Sequence, residues 1–143
     1  MSAILQLIGT WESDYERTVW ELQRNFGSKH PKTIDYESHE FRLVEHYAAD
    51  KLTICYDEFC EVTPYRVVAE DADSVVIDVE PSALNKQRLF HVHFLNPNLY
   101  WLAVHHDWGC VYREFFRRLE NPLSDSELRD YALRKIVKSS AEL

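Results

Sequence analysis

His91-Val92-His93 places two imidazoles on one face of an extended segment, because side chains alternate across a strand. The next extended segment ends in His105-His106-Asp107. If the loop between them, Asn96-Pro97-Asn98, holds three residues, then His105, Ala103 and Trp101 share the face of His91 and His93. Two histidines on one strand and a third on its neighbour is a known zinc-binding geometry. The other face has the stronger claim to the interior. Phe90, Val92 and Phe94 are the better inward set, which turns His91 and His93 to solvent, and in the three-residue register His105 lies opposite Leu89, one step beyond His91. The expectation is therefore surface or hydrogen-bonded histidines and no bound metal.

Arg113 shares a strand face with Val111, Phe115 and Arg117. An inward arginine among aromatic rings can hold an acidic head group through charge-assisted hydrogen bonds. The alternative is structural, a guanidinium covering an indole. Tyr65, Tyr100, Trp101, Trp108 and Tyr112 supply further rings, either as cavity walls or as ordinary core. The expected ligand-binding set is Arg113, Tyr100, Trp101, Tyr112 and Phe115. Catalytic signals are weak. Ser74, Ser82 and the three cysteines have no nucleophile-elbow context, and a chain with three glycines has little material for a phosphate loop. The acidic residues read as solvated strand faces.

These side chains need a scaffold. Ile4 to Glu12 reads as a first strand. Ser13-Asp14-Tyr15-Glu16 reads as a capping box, with Tyr15, Val19, Leu22, Gln23 and Phe26 on one helical face and Gly27 as the stop. After Pro31 the pattern changes to short strands: Phe41 to Tyr47, Leu52 to Tyr56, Glu61 to Ala69 with Pro64 at an edge or bulge, Val75 to Val79, Arg88 to Phe94, Leu99 to His105, and Val111 to Leu119. Such spacing predicts an antiparallel meander, as a barrel or sandwich. Ser124 to Glu127 is a second capping box, and Leu123 can staple onto Leu128. A C-terminal helix over about 124–139 follows, placed on the outside of the barrel or free to bind a partner.

Gly9-Thr10-Trp11 on a first strand, a helix directly after it and a strand meander closed by arginines resemble the calycins, the superfamily of lipocalins and fatty-acid-binding proteins. The resemblance implies a mainly β, antiparallel barrel over about 4–119 in a single domain of 1–143, with Gly9, Trp11 and Arg117 as the structural motif. It implies that Trp11 packs across the barrel base beneath a late arginine, a role for which Arg113, Arg117 and Arg118 compete. Trp11, Ser13, Asp14 and Phe115 to Arg118 also resemble a bacterial lipocalin-like group. The chain departs from fatty-acid-binding proteins at Arg113-Glu114-Phe115, where their Arg-x-Tyr carries a phenol. Some related barrels hold haem through one histidine; His46, His91, His93 and His105 are the available side chains, none with a surrounding motif.

The resemblance points to a binding protein for a small apolar or amphipathic ligand. The competing readings are an interaction scaffold with a filled barrel, presenting its C-terminal helix or an edge near Pro64, and a metal or haem barrel. The formal charge of -8 argues against nucleic acid and anionic membranes as partners. No run approaches the roughly 20 apolar residues of a membrane helix. Cys55, Cys60 and Cys110 have no metal spacing and read as reduced, which fits the cytoplasm, although a tight turn at Asp57-Glu58 would bring Cys55 opposite Cys60. A monomer or homodimer without cofactor is expected.

Overall fold

The computed structural model describes residues 2–39, 43–56, 59–105, 111–120, 123, 124 and 127–131. Eight antiparallel strands close into a barrel in simple sequence order. They are β1 (Gly9–Ser13), β2 (Val44–Tyr47), β3 (Lys51–Tyr56), β4 (Phe59–Glu70), β5 (Ser74–Val79), β6 (Leu89–Asn96), β7 (Leu99–His105) and β8 (Val111–Arg118). Helix α1 (Ala3–Leu7) precedes β1, and α2 (Tyr15–Phe26) and α3 (Pro31–His39) lie between β1 and β2. A short helix, α4, covers 127–131. The sheet closes where β1 meets β8, with Trp11 opposite Arg118, Glu12 opposite Arg117 and Ser13 opposite Phe116. Because the sheet is closed, Pro64 does not mark an edge: it pairs with Lys51, and the bulge in β4 lies further on, between Val67 and Ala69.

The expected strand Ile4 to Glu12 is divided. Ala3 to Leu7 are good helix formers, and Ala3 and Leu7, four apart, bury one side of a helical turn against β4 and β5. Gly9 makes the change of direction with φ 140, a conformation that side chains disfavour. A β-carbon there would lie 2.6 Å from Arg118 Nη1, so any larger residue would also displace that guanidinium.

The capping box at the start of α2 is also different. Asp14 is the N-cap, accepting from the Arg17 amide at 3.3 Å, while Ser13 Oγ accepts from the Leu43 amide at 2.8 Å. Leu22 carries the buried face of α2, with Tyr15, Val19 and Phe26 around it. The Thr18 hydroxyl joins α2 to β8, donating to Asp14 O and accepting from Phe115 N, each at 3.0 Å.

Helix α3 falls where strands were expected to begin. Pro31 suits the first helical position, and Lys32, Thr33 and Tyr36 form the inner side. Its exposed Ile34 hides the helical period.

The remaining strands follow the sequence closely. Alternation turns Phe90, Val92 and Phe94 inward from β6, Tyr100 and Leu102 inward from β7, and Glu114 and Phe116 inward from β8. The β6–β7 turn is two residues, Pro97-Asn98, because Asn96 pairs with Leu99; a register shift after Phe94 restores the expected opposition of His93 and Trp101. At the β3–β4 turn Tyr56 pairs with Phe59, and Cys55 and Cys60 form a disulfide. This corrects the reduced reading of those two cysteines, and with it the cysteine argument for a reducing compartment. Cys110 and Trp108, with the rest of residues 106–110, lie outside the described residues.

The second capping box is present. Ser124 N donates to Glu127 Oε1 at 3.1 Å and Glu127 N to Ser124 Oγ at 3.4 Å. Leu128, with Leu123 and Tyr131 beside it, packs outside the barrel on Val44 and Cys55. The expected continuation to about 139 lies outside the described residues.

Candidate functional site

The interior divides into a filled half and a hollow half. At the filled end the Trp11 ring meets Tyr100 edge-on at 4.7 Å and Phe94 at 6.0 Å, and Tyr100 stacks on Phe116 at 5.0 Å. The indole N–H donates to Leu7 O at 2.8 Å, so α1 plugs this end. Arg118 covers the indole with its guanidinium carbon 4.3 Å from the ring, and donates to Ile8 O at 3.1 Å, to Pro97 O at 3.1 Å and to Gln6 O. The closing arginine is therefore Arg118. Arg117, one residue earlier, points outward by strand alternation and donates to Glu12 Oε1 at 2.7 Å; the Tyr131 hydroxyl donates to Glu12 Oε2 at 2.6 Å.

The other half encloses a cavity of about 250 Å³. Ile54, Phe90, Leu102, Val104 and Phe116 form apolar walls, and Glu45 and Glu114 supply two carboxyl groups. A recess of about 170 Å³ continues from it under α3, sharing Leu43, Leu84 and Glu114 and adding Lys32, Tyr36 and Tyr112. His105 and the loop after β5 stand at the mouth. That loop is held in place: Leu84 N donates to Glu61 Oε2 at 3.0 Å, and the Gln87 amide donates to Ala103 O at 2.9 Å and accepts from His105 N at 3.2 Å. Two broader hollows, of 360 Å³ beside Arg66 and Arg88 and of 460 Å³ beside Trp20, lie open on the outer surface and enclose nothing.

Glu45 and Glu114 are 3% and 8% exposed, and both are forced toward the neutral acid. Loss of solvent, with Glu114 nearby, pushes Glu45 up to about 8, against the opposing pull of Tyr47 and Tyr100. Loss of solvent pushes Glu114 up to about 7, offset by the charge of Lys32. The Tyr47 hydroxyl donates to Glu45 Oε2 at 3.0 Å. Tyr100 lies close enough to perturb Glu45, yet its buried hydroxyl makes no hydrogen bond of acceptable geometry among the described residues. Burial raises Tyr36, Tyr47 and Tyr100 well above the ordinary phenol range, so all three stay protonated.

The residues singled out in the sequence fall into two groups. Tyr100 and Tyr112 are interior, Tyr112 lining the recess edge-on to Tyr36 at 6.2 Å. Arg113, Trp101 and Phe115 gather on the outer face of β7 and β8. Arg113 forms an ion pair with the buried Glu21 of α2 and lies over the Trp101 ring at 5.2 Å and the Phe115 ring at 5.7 Å. Trp101 stacks on His93 at 4.0 Å, and His93 lies 3.8 Å from His91. The His46 ring bonds Thr10 Oγ1 at 2.9 Å on the outside. Among the described residues no group of three or more His, Cys, Asp or Glu is placed to hold a metal ion. Glu45, Glu114 and Lys32 were missed in the sequence. The signal of the two acids was a carboxylate on an apolar alternating face: Glu45 between Leu43 and Tyr47, Glu114 between Tyr112 and Phe116.

The fold and cavity together define a closed, eight-stranded up-and-down barrel, plugged at one end and hollow at the other. Comparison with known proteins gives no matching family model, no matching curated protein and no matching solved structure. No helix among the described residues is long and apolar enough to cross a membrane.

Proposed function

We propose that the protein is a lipocalin-like binding protein that takes one small amphipathic molecule into the hollow half of its barrel. The observation that carries this reading is the 250 Å³ cavity, with apolar walls and a few convergent polar groups, beside a half packed solid. Its size is near the lower end of small-molecule sites, which run from roughly 300 Å³ upward. A filled scaffold has no use for such a space, since lost packing at unfilled volume is destabilising. Affinity comes from burying the apolar body, at about 25 cal/mol per Å². The carboxyl and hydroxyl groups set its orientation. Arg113, engaged with Glu21 outside the barrel, has no part in this reading.

Titration with 2-phenylethanol, followed by two-dimensional NMR, tests it. Saturable shifts are expected at Ile54, Phe90, Leu102 and Phe116, and Leu102→Trp, which fills the space, abolishes them. Shifts that never saturate, or that survive both Leu102→Trp and a second filling variant, Leu84→Trp, would overturn the reading.

A further inference from the structure

Two acids and one ammonium face the interior, and they do not balance if both acids ionise. Glu114 has Lys32 of α3 nearby, whose charge favours its ionised form. Among the described residues Glu45 has one hydroxyl partner, Tyr47 at 3.0 Å, with Tyr100 beside it. Among the described residues no ion pair reaches Glu45, so the interior is one cation short. The Tyr100 hydroxyl is a second, independent sign. It is fully buried, adjoins Glu45 and makes no hydrogen bond of acceptable geometry among the described residues, so the polar groups around Glu45 are not fully satisfied. Orphaned buried hydroxyls are costly and uncommon.

We propose that the ligand is a monocation: a small amine with an apolar body, its ammonium donating to the Glu45 carboxylate in the cavity wall. This inference rests on the cavity being a ligand site. The ammonium's donors suit a carboxylate acceptor, and the apolar walls receive the body, which a bare metal ion lacks. An anionic ligand would meet Glu45 and Glu114 with Lys32 already engaged. The other titratable groups facing this space are Lys86 and His105 at the mouth and the phenols of Tyr36, Tyr56 and Tyr112 in the recess. The exchange balances simply: the amine enters with its proton, the Glu45 O–H gives its proton to solvent, and an ion pair replaces the neutral acid.

Calorimetric titration of the whole chain with three probes of similar size tests it: 2-phenylethylammonium, 2-phenylethanol and 3-phenylpropionate at pH 7.5. The ammonium is expected to bind at least tenfold tighter than the alcohol, and the carboxylate most weakly. Its enthalpy should differ between phosphate and Tris buffers, reporting the released proton. Glu45→Gln should bring the amine-to-alcohol ratio within about twofold. Equal binding of amine and alcohol, a buffer-independent enthalpy, or an unchanged ratio in Glu45→Gln would overturn the cation while leaving the cavity reading standing. Tightest binding of the carboxylate would also overturn it and point to Lys32. Failure of all three probes would remove both readings.

Discussion

Glu45 is almost wholly buried, and with Glu114 it makes the protein's stability depend on pH. In the unfolded chain its carboxyl ionises near the ordinary 4.5, whereas in the barrel it holds its proton up to about 8. Between those values the folded state binds a proton that the unfolded state has released, so stability falls as pH rises through this window and levels off above it. Glu114 acts in the same sense up to about 7. Glu45→Gln removes the larger of these liabilities. Thermal melts should show little difference from the native chain at pH 5 and a variant more stable by about 5–10 °C at pH 8.5, corresponding to a few kcal/mol. A constant difference across that range would contradict the buried-acid account. Both acids were visible in the sequence as breaks in an apolar alternation. Composition hid them, because a chain with 24 acidic residues against 16 basic ones makes any single carboxylate look like solvated surface. The arginine face was misjudged for a related reason. Alternation fixes parity only once one residue is anchored, and Arg118, not Arg117, is on the side of Trp11.

At the scale of elements, legibility followed the strength of the local period. The strands from β5 to β8 were plain because alternation, turn residues and spacing agreed. Helix α3 was not, since its inner side uses Lys32, Thr33 and Tyr36, which no hydrophobic pattern singles out. Helix α1 was taken for strand because a run of apolar residues as short as Ala3 to Ile8 carries no period of its own. The β3–β4 hairpin was readable in geometry, though its cysteines read as reduced. Cys55 is fully buried beneath Leu128, so the bond lies under the docking place of α4. Replacing both cysteines with alanine should cost about 2 kcal/mol, the expected value for so short a closed loop, with the denaturation midpoint lowered and its slope retained. Full retention of the midpoint under reducing conditions would show that the bond adds nothing to the fold.

For the whole molecule, the division into a packed end and a hollow end predicts uneven local stability. The packed end has the Trp11–Tyr100–Phe116 stack, the Arg118 bonds and α1. The hollow end is roofed by a loop held through a few side-chain hydrogen bonds from Glu61 and Gln87. Amide hydrogen exchange should therefore be slowest in β1, β7 and β8 around Trp11 and faster by orders of magnitude at residues 82–87. Uniform protection at both ends would refute that gradient. The overall architecture was legible because a first-strand Gly-x-Trp and a late run of arginines are complementary parts of one seam. The volume inside was not, since it depends on side chains converging from strands far apart in the chain.

That seam has a bearing on how the molecule is made. Glu12 and Arg117, hydrogen-bonded across it, are separated by 105 positions. During synthesis β1 emerges first and β8 last among the strands, so the sheet keeps two raw margins until the ribosome has delivered almost everything described here. Nascent chains stalled before Val111 have no way to seal the wall, and are the species most in need of a chaperone.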